Sequence, residues 1–214
     1  MPSTRSCVCV LTGDIVKSSA LGADRFDAVM GALESAAETV AAWPQIAPVH
    51  YERFRGDGWQ LLLGQPKWAL RVSLCMRGAI RSACGAGETR LAAGIGSADR
   101  ADTLAASSGS AFECSGRGLE RLKTHQLWWI DGAFATAGER ALAQGLFSVC
   151  DGLSRHWTSR QAEIFLALVQ PEAPTMAALA DRLSVQPQTV QVHFARAGGH
   201  ALLDAVHAFE QALE

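Results

Sequence analysis

The stretch Arg53–Leu63, RFRGDGWQLLL, decides the fold. Polar and apolar residues alternate up to Gly56-Asp57-Gly58, and an apolar run resumes at Trp59. Two β-rich runs flanking an Asp-Gly pair read as a hairpin, with strands over 49–55 and 59–63. The aspartate in the turn has two readings. Asp-Gly is a favoured turn pair in its own right, and a carboxylate on an exposed turn is also free to hold a ligand.

Working outward, residues 7–13, CVCVLTG, read as a buried strand. Asp24 is placed to cap a helix in which Phe26, Val29, Met30, Leu33 and Ala37 keep helical spacing until Pro44 and Pro48. Pro66 suits the first turn of a second long helix that ends near Gly85, and RLAAGIG over 90–96 reads as a strand. The order β-α-β-β-α-β is the ferredoxin-like arrangement, with an expected strand order 4-1-3-2. A helix over 109–123, a strand at LWWID and a helical segment over 133–150 follow. From Trp157 onward every segment reads as helix. The expectation is an α+β protein: a ligand-binding domain over 1–150 and an all-helical domain over 151–214.

The 4-1-3-2 order lays the first strand beside the third. Asp14, just past the first strand, then meets Asp57 in the hairpin turn at one sheet edge. Two unpaired carboxylates side by side repel. A hard divalent cation, Mg²⁺ or Mn²⁺, removes that cost, and a phosphate-bearing ligand completes its oxygen shell. Lys17, in the segment Ile15–Ser19, adds positive charge for phosphate. Arg53 and Arg55 share a strand face and are either phosphate contacts or solvated charges. Taken singly, Asp14 also reads as the cap of a turn.

The formal net charge of −2 neither demands nor excludes a nucleic-acid partner. No apolar run approaches the roughly 20 residues that span a bilayer, and an acidic residue comes early in the N-terminal stretch, so a cytoplasmic protein is expected. The six cysteines form no C-x-x-C pair and have no histidines at zinc spacing, which points to reduced thiols.

The motifs Gly13-Asp14-Ile15, Gly56-Asp57-Gly58 and Gly109-Ser110-Ala111-Phe112 resemble those of the SatD family of small bacterial proteins. They are also similar to the class III nucleotidyl cyclase catalytic domain, over roughly residues 7–130. The resemblance implies a metal pair at Asp14 and Asp57 and a phosphate arginine at Arg117. It also marks departures: Glu113 stands where the ribose-orienting asparagine belongs, Arg53 at the base-reading lysine, and the base-reading aspartate falls near Ala106. An ordinary adenylate cyclase is therefore not implied, since an arginine and a lysine are not equivalent at a geometric site.

In the C-terminal part, Thr175 precedes MAALADRL as a helix cap, and Ser184-Val185-Gln186 leads into PQTVQVHFARAG. Two short helices joined this way read as a helix-turn-helix, with Ala177, Ala180, Leu183, Val185 and Val190 as packing positions. The stretch WTSRQAE is similar to the opening of helix-turn-helix regions in bacterial transcription factors. Gln188, Thr189, Gln191 and His193 are the candidates to reach base edges, and Arg196 a candidate for phosphate, with Arg160 and Arg182 also available. A helical bundle serving only oligomerisation is the alternative.

The expected function is a transcriptional regulator. Its N-terminal domain would sense a nucleotide or another phosphorylated ligand with a divalent metal, and its C-terminal helices would bind DNA as a homodimer. An active metal-dependent cyclase-like or phosphotransfer enzyme with a helical dimerisation tail is the rival.

Overall fold

A computed structural model describes residues 7–54 and 56–214. Of the candidate site residues, Arg55 lies outside the described residues. Among the described residues five strands form one sheet: β1 (Val8–Ile15), β2 (Val49–Phe54), β3 (Gly58–Leu63), β4 (Thr89–Gly96) and β5 (Trp128–Gly132), in the order β2-β3-β1-β4-β5. The first four follow the order read from the sequence. β5 extends the sheet by pairing parallel with β4, while the other pairs are antiparallel.

β1 is central, and its alternation sorts side chains between two layers. Cys9, Leu11 and Ile15 join the main core, which includes residues of α2 (Ala23–Ala41) and α3 (Ala69–Ala83). Val8 and Val10 join a smaller cluster with Leu62, Leu104 and Ala111 of α4 (Ser110–Arg121). α4 lies against β4, β1 and β5, and its Ser115 hydroxyl meets that of Thr12 at 2.8 Å. Only glycine fits beneath it at position 94: a Cβ there would sit 2.5 Å from the Ser115 amide and closer still to the Ala111 carbonyl.

α2 is helical because Val29, Met30, Leu33, Ala37 and Val40 repeat along one stripe, and all five are buried. Its cap is Gly22, at φ 77°, so Asp24 lies in the first turn rather than capping it. The chain reaches α2 through the short α1 (Ser18–Leu21). Pro66 opens a 3₁₀ turn over Pro66–Trp68, and α3 follows from Ala69.

The helical part comprises α5 (Ala137–Ser154), α6 (Ser159–Leu168), α7 (Met176–Leu183), α8 (Pro187–Arg196) and α9 (Gly199–Ala212). α6 opens with a capping box in which Thr158 and Gln161 satisfy each other's backbone amides. The boundary expected at 150–151 lies inside α5, which packs on β5 and α9. One hydrophobic cluster runs from Cys9 in β1 to Phe209 in α9. Buried arginines cross the same junction. Arg71 donates Nε to Glu210 Oε1 (2.6 Å) and Nη2 to Oε2 (2.8 Å). Arg77, with no exposed surface, donates to Glu88 (3.0 Å), to Asp151 Oδ1 (2.7 Å) and to Ser154 (2.8 Å), and its guanidinium lies 4.1 Å from the Trp128 ring centroid.

All six cysteines are free thiols. Burial pushes Cys75 and Cys150 up to about 12, so neither is a thiolate at neutral pH.

Candidate functional site

Asp14 is part of β1 rather than just beyond it: it pairs with Gly58 of β3 on one side and Arg90 of β4 on the other. That register puts the hairpin turn next to the end of β1. Gly56, at φ 78°, makes the turn, and the Ile15 amide donates to the Asp57 carbonyl at 3.3 Å. Beyond β1, the Val16 amide donates to the Glu88 carbonyl (2.9 Å), and Lys17 adopts the left-handed region (φ 53°) to turn the chain into α1.

The outcome is a cleft of about 410 Å³ at this end of the sheet. Asp14, the segment Ile15–Ser19, Asp57 and Arg90 line one part of it, and Leu122, Lys123, Thr124 and Leu127 the other. Asp14, Asp57 and Lys17 thus come together as expected. Lys123 and Arg90 are additions that the sequence reading missed. Arg90 was findable: in a 4-1-3-2 sheet the start of the fourth strand lies opposite the end of the first. Lys123 carried no such signal, because the segment between α4 and β5 has no periodic pattern to place it.

Arg90 dominates the electrostatics. It grips Asp14 with two nitrogens, Nε to Oδ1 at 2.9 Å and Nη2 to Oδ2, and the carboxylate raises the guanidinium pKa further. Asp57 Oδ2 accepts from the Ser18 hydroxyl at 2.5 Å. The Asp14 backbone is fixed too, its carbonyl accepting from Thr89 Oγ1 at 2.8 Å. The repulsion expected between two bare aspartates is therefore relieved by a guanidinium and a hydroxyl. Among the described residues no group of three His, Cys, Asp or Glu side chains gathers for a metal. The Arg90 side chain is partly exposed.

Two further described candidates for the ligand are not in the cleft. Arg53 is exposed on β2 and does not line it. Arg117, on α4, pairs with Glu113 Oε2 at 3.4 Å and with the Cys114 sulfur.

In the helical part, Thr175 caps α7 by accepting from the Ala178 amide, and Ser184-Val185-Gln186 separates α7 from α8. Ser184 takes the left-handed conformation, and the Val185 amide donates to the Ala180 carbonyl at 3.0 Å. Ala180 and Val190 are buried and Leu183 and Val185 half-buried, whereas Ala177 is exposed; Leu179 fills the inner position instead. Gln188, Thr189, Gln191 and Arg196 are exposed on α8, and His193 is half-buried.

No protein-family model matches the chain, and no curated protein matches it. No helix among the described residues is long and apolar enough to cross a membrane.

Proposed function

We propose that this chain is a transcriptional regulator, with a cleft that binds a nucleotide or another phosphorylated ligand and a helix-turn-helix that binds DNA. The observation that carries the reading is the convergence of Lys17, Arg90 and Lys123 with Asp14 and Asp57 in one cleft. Three cations beside two carboxylates suit phosphates, singly or with a divalent cation. On this reading the first four strands and their helices form a ferredoxin-like, SatD-like or cyclase-like unit. Asp14 and Asp57 would hold Mg²⁺ or Mn²⁺, which would supply charge neutralisation for the phosphates. Arg90, displaced from Asp14, would turn to the ligand. Because Arg117 lies outside the cleft of its own chain and pairs with Glu113, binding is favoured over catalysis within one chain.

The route from ligand to DNA runs through buried polar groups. Val16 and Leu127 both line the cleft. The Val16 amide bonds to the Glu88 backbone, the Leu127 amide donates to Asp151 Oδ2 (2.9 Å), and Arg77 joins Glu88 to Asp151 of α5. A ligand with different affinity for two arrangements of this junction shifts the DNA-binding helices by population.

Selection of binding sites from random DNA, followed by anisotropy titration, tests the DNA half. Gln191→Ala is expected to weaken the selected sequence by about 1–3 kcal/mol and relax its preference at one position. Arg196→Ala should weaken all sequences alike and flatten the salt dependence. Failure to enrich any sequence, with or without Mg²⁺ and ATP or GTP, would count against a regulator and favour the enzyme with a helical tail.

A further inference from the structure

The outward face of α5 is unlike that of a solvated helix. Leu142, Leu146, Val149 and Leu153 follow one another at steps of four, three and four residues, forming a ridge. Leu142 is 77% exposed, Val149 59% and Leu153 44%, while Leu146 is half-buried. Beside the ridge, Gly138, Ala141, Gly145, Ser148 and Gly152 form a parallel furrow of small residues, all exposed. Added Cβ atoms at Gly145 and Gly152 would meet nothing within 4 Å. No exposed residue from Ala141 to Leu153 is charged, over more than three helical turns. A surface helix normally carries charges on its outward face, and contiguous exposed apolar side chains are the surface type that partners cover.

The pattern is its own complement. In an antiparallel pair of α5 helices related by a two-fold axis, Leu142 falls opposite Leu153 and Leu146 opposite Val149, because both pairs share one midpoint, between Phe147 and Ser148. Glu139 and His156 share that midpoint as well. Glu139 stands at the first turn, and Arg155 and His156 follow the last. Antiparallel pairing therefore brings Glu139 level with His156 at both extremities, and opposes the two helix dipoles favourably. Arg140, which would spoil this match, turns instead toward Asp131 at 3.8 Å. Each ridge faces the partner's furrow, the close-approach geometry that small residues permit. An apolar recess of about 300 Å³ between α5 and α9, lined by Phe134, Leu142, Leu146, Phe209 and Leu213, continues the surface.

We infer that α5 is the homodimer interface of this protein, packing antiparallel against α5 of a second copy across a two-fold axis near Phe147 and Ser148. The inference does not depend on the ligand cleft. It gives the DNA-binding helices a symmetric frame, since the Leu153 side chain lies about 4.0 Å from where a Cβ on Gly198, at the start of α9, would be.

Sedimentation equilibrium of the full chain at micromolar concentration should show a dimer. Leu142→Glu should be monomeric with an unchanged circular dichroism spectrum, because the replaced side chain is exposed on the single chain, and its melting temperature should fall to a value independent of protein concentration. In a Cys7→Ser background, which removes the exposed thiol, oxidation of Val149→Cys should give a disulfide-linked dimer. Glu139→Cys should not, because antiparallel pairing holds its two copies roughly 25 Å apart along the axis. A monomeric wild type, a Leu142→Glu variant that remains dimeric, or linkage at position 139 as efficient as at 149 would each overturn the interface.

Discussion

Replacing Arg77 with alanine should destabilise the protein by about 3–5 kcal/mol, the cost of breaking a buried ion pair on one side. Arg77 has no exposed surface and serves Glu88 on one side and Asp151 and Ser154 on the other. Removing it leaves two buried carboxylates without their shared partner. Arg81 still reaches Glu88 Oε2 (2.8 Å) and Arg155 still reaches Asp151 Oδ2 (2.5 Å), so part of the charge remains matched. That places the loss toward the lower end of the range. Lysine cannot rescue it, since one ammonium does not reproduce a planar fork that serves two carboxylates and stacks on Trp128. Urea unfolding of wild type, Arg77→Ala and Arg77→Lys measures the difference directly. A loss under about 1 kcal/mol would mean that the network is not closed as described.

Gly94→Val is the second large effect. Its Cβ would run into backbone atoms of α4, at Ala111 and Ser115, which cannot rotate aside as a side chain can. The helix must lift off the sheet, so the expected cost is at or above the upper end of about 1–3 kcal/mol for overpacking. Lifting α4 also strains the Thr12–Ser115 bond and displaces Leu122 and Lys123, which follow α4 into the cleft. Stability and phosphate binding should fall together in this variant. Normal stability in the same urea titration would show that the sheet and α4 are not in the close contact that glycine permits.

The parts of the fold that were legible in the sequence are those set by local chemistry. The Gly56-Asp57 turn, the stripe Val29, Met30, Leu33 and Ala37 and the cap at Thr175 all follow from residues within one turn or one helix. The meeting of Asp14 with Asp57 was legible because strand order alone puts those two ends together. What stayed hidden depends on partners distant in the chain. Arg71 and Arg77 stand in a largely apolar helix, where an arginine ordinarily reads as solvated. They are buried because Glu210 and Asp151, far along the chain, come to them. The boundary drawn at 150–151 falls in the last turn of α5, which ends at Ser154. That helix uses one face for the sheet and α9, and its periodicity says nothing about where a domain should end.

The proposed phosphate site is the cleft between β1, the hairpin turn and the segment after α4. Isothermal titration with ATP, GTP and inorganic triphosphate, each with and without Mg²⁺, tests it most directly, using wild type, Lys17→Ala and Asp57→Ala. Lys17 is exposed, so Lys17→Ala should leave the unliganded melting temperature unchanged, and Asp57→Ala should lower it only slightly through loss of the Ser18 hydrogen bond. Wild type should bind at least one of these probes with Mg²⁺ present, and both variants should lose that heat. Wild-type protein that binds none of them, or variants that bind as tightly as wild type, would contradict the claim.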